Sequence, residues 1–175
     1  MKFLKTHIPG VFEIHPELLS DERGFFARTW CQKEFKEHGL NPRLVQCNIS
    51  SSRRKGTLRG LHYQSGEHAE AKLVRCTNGS ICDVALDIRP ESPTFRRWVA
   101  VILTAADRNM LYVPEGCAHG FLTLEDETEV FYQMSQFYNP ESARGVRWDD
   151  PAFHIQWPGK PEVISERDRT YPNFE

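Results

Sequence analysis

The sequence predicts an all-β fold, an antiparallel sandwich or barrel of the jelly-roll kind. Three observations predict it. Some ten short apolar or alternating segments follow one another at close spacing. Turn residues separate them, most clearly Asn78-Gly79 between Val74 and Ile81, which reads as a hairpin turn. Sustained helical spacing occurs only at 32–38, where Phe35 sits among Lys and Glu and Gly39 offers a C-terminal stop.

In chain order, Val11-Phe12-Glu13-Ile14 alternates and reads as a strand. Residues 20–24 form a turn, and 25–30 a strand. Further strands are predicted at 44–48, 56–63, 71–76, 80–88, 98–103, 109–113, 120–124, 130–134 and 145–148. Residues 104–107 and 140–143 read as single helical turns. The stretch 149–175 carries Pro151, Pro158, Pro161 and Pro172. It reads as an extended tail packed on the barrel, so the expectation is one domain over 1–175.

Composition narrows the class. The 175 residues are 39% hydrophobic and 26% charged, with a net charge of −2. That balance offers no general attraction to nucleic acid or anionic membrane. No apolar run has the length of a membrane span, and residues 1–7 lack a secretory apolar stretch, so a cytoplasmic protein is expected. The cysteines Cys31, Cys47, Cys76, Cys82 and Cys117 are odd in number and lack C-x-x-C spacing. They read as small packed residues of a reducing compartment. A thiolate at Cys117, two residues before His119, has no activating neighbour in sequence.

Two histidines carry the chemistry. His62 lies in Leu58-Arg59-Gly60-Leu61-His62-Tyr63-Gln64, and His119 in Pro114-Glu115-Gly116-Cys117-Ala118-His119-Gly120-Phe121. The second segment resembles the second metal motif of the cupin superfamily. The first metal motif would need a second histidine where Gln64 stands, and Gln64 is a poor transition-metal ligand. Glu67 and His68 fall in 65–70, which reads as a solvated hairpin tip. No metal is therefore expected. Strict alternation puts His62 with Leu58, Gly60 and Gln64, and Arg59 on the other face; a bend at Gly60 would bring Arg59 to the same site. Lys72, on an otherwise apolar strand, needs a partner or a task. A base, a cation and a phenol such as Tyr132 fit proton abstraction beside a carbonyl, without metal or nucleotide cofactor.

With these segments in view, the chain resembles the dTDP-4-dehydrorhamnose 3,5-epimerase family, a metal-free branch of the cupins. The resemblance runs through Asp21-Glu22-Arg23-Gly24-Phe25-Phe26, Gln46-Cys47-Asn48-Ile49-Ser50, the His62 segment and Lys72-Leu73-Val74-Arg75. It continues through Asp83 to Arg89, Ser92-Pro93-Thr94-Phe95, the His119 segment, Tyr132, Arg147-Trp148-Asp149-Asp150-Pro151 and Ser165-Glu166-Arg167-Asp168. It implies a cupin-type jelly-roll barrel acting on a nucleotide-diphosphate 4-keto-deoxysugar. It implies His62 as base with Asp168, Tyr132 as acid, and Lys72 on the C4 oxygen with His119 holding the sugar. Arg59 and Arg167 would meet the diphosphate; Gln46, Asn48 and Tyr138 would bind substrate on the nucleotide side. It also implies a homodimer with exchanged N-terminal strands, in which Arg23 and Phe26 serve the neighbour's nucleotide.

The chain departs from the family pattern at three positions. Arg28 stands where the family's rhamnose enzymes usually have glutamate, near the base. Ala143 replaces another glutamate, and Arg167 a lysine. Reversing a charge in a recognition pocket points to a nucleotide other than dTDP, namely CDP, GDP or UDP. Competing readings are a C3-only or C5-only epimerase, a 3,4-ketoisomerase, a non-catalytic sugar-nucleotide module and a metal-dependent dioxygenase. Intact Tyr132 and Asp168 favour epimerisation.

Overall fold

The computed structural model describes residues 1–174. Two sheets face one another. The first runs, in spatial order, β1 (Lys2–Lys5), β2 (Phe12–His15), β10 (Met110–Val113), β7 (Lys72–Asn78), β12 (Thr128–Met134) and β5 (Gln46–Ser52). The second runs β13 (Ala143–Gly145), β6 (Thr57–Gln64), β11 (Cys117–Thr123), β8 (Ser80–Asp87) and β9 (Trp98–Thr104). A fourteenth strand, β14 (Val163–Ile164), lies parallel along β6. β3 (Leu19–Asp21) and β4 (Gly24–Phe26) pair only with each other. The jelly roll is thus a two-sheet sandwich whose sheets do not close into a ring.

The core between the sheets takes alternate residues from each. Val74, Cys76, Leu111, Val113 and Val130 from the first sheet meet Ile81, Ala85, Leu103, Cys117 and Phe121 from the second. The outer face of the first sheet is covered by α1 (Gln32–Glu37), whose Phe35 packs on Phe12, Ile14 and Tyr112. Six residues make no stable helix alone. Burial of Phe35, 1% exposed, supplies the anchor, contributing about 1.5–3 kcal/mol. The helix ends as predicted: Gly39 has φ of 71°, and Leu40 N–H donates to Phe35 C=O at 2.9 Å. The second sheet's outer face is covered by the C-terminal tail through Phe153, Trp157 and Phe174.

Several sequence expectations are corrected. Asn78-Gly79 makes no hairpin: β7 and β8 lie in different sheets, and the turn carries the chain across the sandwich. Gly79 is required there, with φ of 72° and Thr128 Oγ1 2.6 Å from where a Cβ would sit. The strand predicted at 145–148 is displaced: β13 is Ala143–Gly145, because its pairing with β6 runs from Gln64 to His62. The predicted strand 25–30 stops at Phe26. The tail is not merely extended; it contributes β14 and a short helix, α2 (Glu166–Arg169). No helix among the described residues is long and apolar enough to cross a membrane.

Candidate active site

The site begins with an irregularity in β6. His62 pairs with His119 of β11, and Arg59 pairs with Phe121, so three steps on β6 match two on β11. The extra residue is a bulge that reverses the alternation, and Arg59 and His62 face the same cavity. Gly60 permits it. A Cβ there would lie 2.5 Å from Gly120 Cα and 2.8 Å from the His119 carbonyl oxygen. The bend that the sequence allowed at Gly60 is present, and it comes from close approach of two glycine backbones.

The tail completes the bulge. β14 aligns Val163 with Thr57 and Ile164 with Leu58. Ser165 then caps α2, its Oγ accepting from the Asp168 N–H at 3.1 Å. This register delivers the buried Asp168 carboxylate to β6. Oδ1 meets His62 Nε2 at 2.7 Å, and Oδ2 accepts from the Gly60 N–H at 3.2 Å. Burial opposes ionisation of Asp168, but the bonds from His62 and Gly60 outweigh it and hold the carboxyl below its ordinary range. The Tyr171 ring meets His62 edge-on at 6.2 Å and fills the space that a side chain at Gly145 would need.

The facing sheet contributes Lys72 and Tyr132. Lys72 Nζ bonds Glu70 Oε1 at 2.9 Å and the His62 carbonyl oxygen at 3.2 Å. Two of its three donors are therefore fixed within the protein. Glu70 belongs to the segment expected as a solvated tip, yet it is buried; only Gly66 and Glu67 of that segment are exposed. Gln64, the residue that broke the metal pattern, holds this segment. Its side chain donates to the carbonyls of His68 and Phe137 and accepts from the Asn139 N–H. Burial raises the Tyr132 phenol above its ordinary pKa; the Glu70 charge adds to this and Arg59 opposes it.

His119 is buried and bonded through Nε2 to Asp83 Oδ1 at 2.7 Å. Asp83, Glu70 and Tyr171 are the surroundings the sequence reading missed. The signal for the first two was parity: Asp83 alternates with Ile81 and Ala85, which face the core, and Glu70 with Lys72 and Val74. Cys117 is closed off as a nucleophile, because burial pushes its thiol up to about 12.

His62, Lys72, Tyr132 and Arg167 stand between two adjoining cavities. The first, about 520 Å³, also takes in Arg59, His119 and Asp168. The second, about 320 Å³, takes in Gln46, Asn48, Glu70 and Tyr138. Arg23, Phe26 and Arg28 line neither. Arg23 pairs with Asp21, Phe26 stands exposed on the β3–β4 hairpin, and Arg28 bonds Glu34 at 3.0 Å. Among the described residues no three His, Cys, Asp or Glu side chains are grouped as a metal would need.

A jelly roll with a histidine on one sheet, paired to an aspartate from the tail, and a lysine and a protonated phenol on the other sheet defines an acid–base isomerase. The profile of one family, described as dTDP-4-dehydrorhamnose 3,5-epimerase, matches residues 5–175. A protein of that name from Shigella flexneri is 46% identical over 96% of this chain and 93% of its own length. The crystal structure of such an epimerase from Elizabethkingia anophelis superposes with a TM-score of 0.96 at 42% identity, over 99% of this chain and 96% of that one. Another, from Bacillus anthracis with TDP and PPi bound, gives 0.94 at 38% identity and covers 99% of each chain. The chain belongs to the dTDP-4-dehydrorhamnose 3,5-epimerase family.

Proposed function

We propose that this chain inverts C3 and C5 of a 4-keto-6-deoxyhexose by proton removal beside the C4 carbonyl, and that the sugar is carried on dTDP, as the relatives' name has it. dTDP takes the place of the other nucleotide that Arg28 suggested, because Arg28 is bonded to Glu34 and lines neither cavity. One observation carries the mechanism: His62 and Tyr132 stand on different sheets and line the same cavity. A planar enolate held between them loses its proton to one side and regains one from the other.

Asp168 occupies Nε2 of His62, which leaves Nδ1 as the nitrogen that takes the substrate proton. The carboxylate then stabilises the imidazolium that forms. Charge moves onto the C4 oxygen, where Lys72 answers it, with His119 holding the sugar. Tyr132 returns a proton to the opposite face of the carbon. The enzyme resets when His62 releases its proton to solvent and Tyr132 regains one. Arg59 and Arg167 supply positive charge for the diphosphate. Gln46, Asn48 and Tyr138, in the second cavity, take the nucleotide side.

The active species is a homodimer with exchanged N-terminal strands. In support, the β3–β4 hairpin pairs with no other strand and presents Leu19 and Phe26, 68% and 70% exposed. Arg23, Phe26 and Arg28 would then serve the neighbour's nucleotide. The enzyme belongs to the cytosol, where five unpaired cysteines are stable.

Incubation of dTDP-4-keto-6-deoxyglucose in deuterium oxide tests the reading. Label is expected at both C3 and C5, and none with His62→Asn. Tyr132→Phe should retain exchange while losing inversion. Label at one carbon only would reduce the enzyme to a single-site epimerase. A parallel titration with dTDP, CDP, GDP and UDP should favour dTDP; preference for another base would trace to Arg28.

A further inference from the structure

Glu70 has no part in the mechanism above, yet it is the most unusual side chain near the cavities. It is an acid on an irregular segment between Ala69 and Ala71, buried to 7% exposure. Its position is imposed from outside. The Ala71 N–H donates to Ser135 Oγ at 2.8 Å, and the Ser135 N–H returns a bond to the Ala71 carbonyl at 3.0 Å. On the other side, Gln64 and Asn139 hold His68. The segment is thereby fixed at both ends with the carboxylate turned inward. Oε1 is bonded to Lys72, and Oε2 is buried with no partner among the described residues.

We propose that Glu70 is a positioning residue for the epimerisation, aiming the Lys72 ammonium at the junction of the cavities and setting the charge balance around Tyr132. The proposal rests on the epimerase reading. The geometry of Lys72 carries its first half. One N–H is held by Glu70 and one by the His62 carbonyl, so the direction of the third is fixed. The His62 carbonyl ties the cation to the strand that carries the base, and the Glu70 carboxylate ties it to the segment that leads into β7.

The bare Oε2 carries the second half. An acceptor with no donor of its own leaves its charge uncompensated at that oxygen. The groups facing the cavities that Tyr132 lines are Arg59 and His62 from β6, Glu70 and Lys72 at the start of β7, and His119 from β11. Arg144 from β13, Arg167 and Asp168 from α2, and the phenols of Tyr63 and Tyr138 complete them. Among these, Glu70 opposes ionisation of the phenol and Arg59 favours it, both after burial itself. Glu70 therefore keeps the proton on the group that must donate it.

Glu70→Gln removes the charge and keeps an acceptor for Lys72. Its tyrosinate absorbance, as the difference from a Glu70→Gln/Tyr132→Phe protein, is compared with the same difference for the wild type. The Tyr132 midpoint is expected to fall in the Glu70→Gln protein. The alkaline limb of kcat should move to lower pH with it, and kcat near neutrality should drop roughly tenfold, less than the ~10²-fold low end of a full acid–base contribution because the phenol is shifted rather than removed. Glu70→Ala must shift the midpoint in the same direction, and Glu70→Asp, which retains the charge, should restore most of it. A Tyr132 midpoint unmoved in both neutral variants overturns the proposal, whatever happens to kcat. The absorbance measurement needs no substrate. Failure of the epimerase reading, seen as no exchange by the wild type, is therefore distinguishable from failure at Glu70.

Discussion

The His62–Asp168 and His119–Asp83 pairs are built from the same residue types at the same 2.7 Å, yet they occupy opposite environments. The His62 side chain is 40% exposed, and its carboxylate comes from the tail, 106 residues away. His119 and Asp83 are sealed between neighbouring strands of one sheet. The carboxyls respond oppositely. Asp168 is held low by the bonds it receives in spite of burial. Asp83 is driven up by complete burial, against the pull of His119 and Lys72. A solvent-facing imidazole with an ionised partner can load and unload a proton each turnover. A sealed pair is a structural support that fixes the orientation of one ring.

The largest effect should follow from disabling the open pair. Asp168→Asn keeps the shape and removes the charge that stabilises the imidazolium, so kcat should fall roughly 10²–10⁴-fold. Thermal stability should fall as well, because Asp168 is buried and its ionised carboxylate is held by His62 and the Gly60 N–H. Steady-state epimerisation and a thermal melt on the same preparation check both halves. A loss of less than about tenfold would mean that His62 is not the proton acceptor and would erase the contrast.

Breaking the sealed pair should act on stability first. Asp83→Ala leaves His119 buried without its partner and should cost about 3–5 kcal/mol, read from denaturant unfolding. The pH dependence separates the pairs by sign. A carboxyl raised in the folded state contributes most below about pH 3.9, the ordinary aspartate value, and loses that contribution as pH rises through its folded value. A lowered carboxyl contributes above that ordinary value and loses the contribution as pH falls through its folded value. The stability advantage of wild type over Asp83→Asn should therefore grow on acidification, while the advantage over Asp168→Asn shrinks. Parallel trends in the two variants would show that both carboxyls sit in one kind of environment.

The same contrast marks what was legible in the sequence. His62, His119 and the isolated Lys72 stand out because polar residues inside apolar strands are conspicuous, and periodicity alone located β6, β7, β8 and β12 to within a few residues. The sheet each strand joins was not legible. Asn78-Gly79 has the same local chemistry whether it closes a hairpin or crosses between sheets, and only long-range pairing decides. Glu70 was misread because a run of Gly, Glu and His is usually solvated. Its burial depends on Ser135, 65 residues further along. Arg59 and His62 share a face only because of a bulge, which breaks the alternation from which faces are read.

The smallest effect concerns how the tail reaches the open pair. α2 has four residues and no stability of its own. Two features place Asp168: the register of β14 on β6, and the Ser165 cap on the Asp168 N–H. Removing the cap by Ser165→Ala should cost about 1 kcal/mol, which limits the loss in kcat to about fivefold. KM should hold, since Ser165, although it lines the first cavity, is uncharged and its hydroxyl is taken up by the α2 cap. Ser165→Thr, which also caps, should restore the rate. A wild-type rate in Ser165→Ala would mean that β14 alone seats the carboxylate. A loss as large as that of Asp168→Asn would mean that the tail docks all or none, with the cap as the contact that decides it.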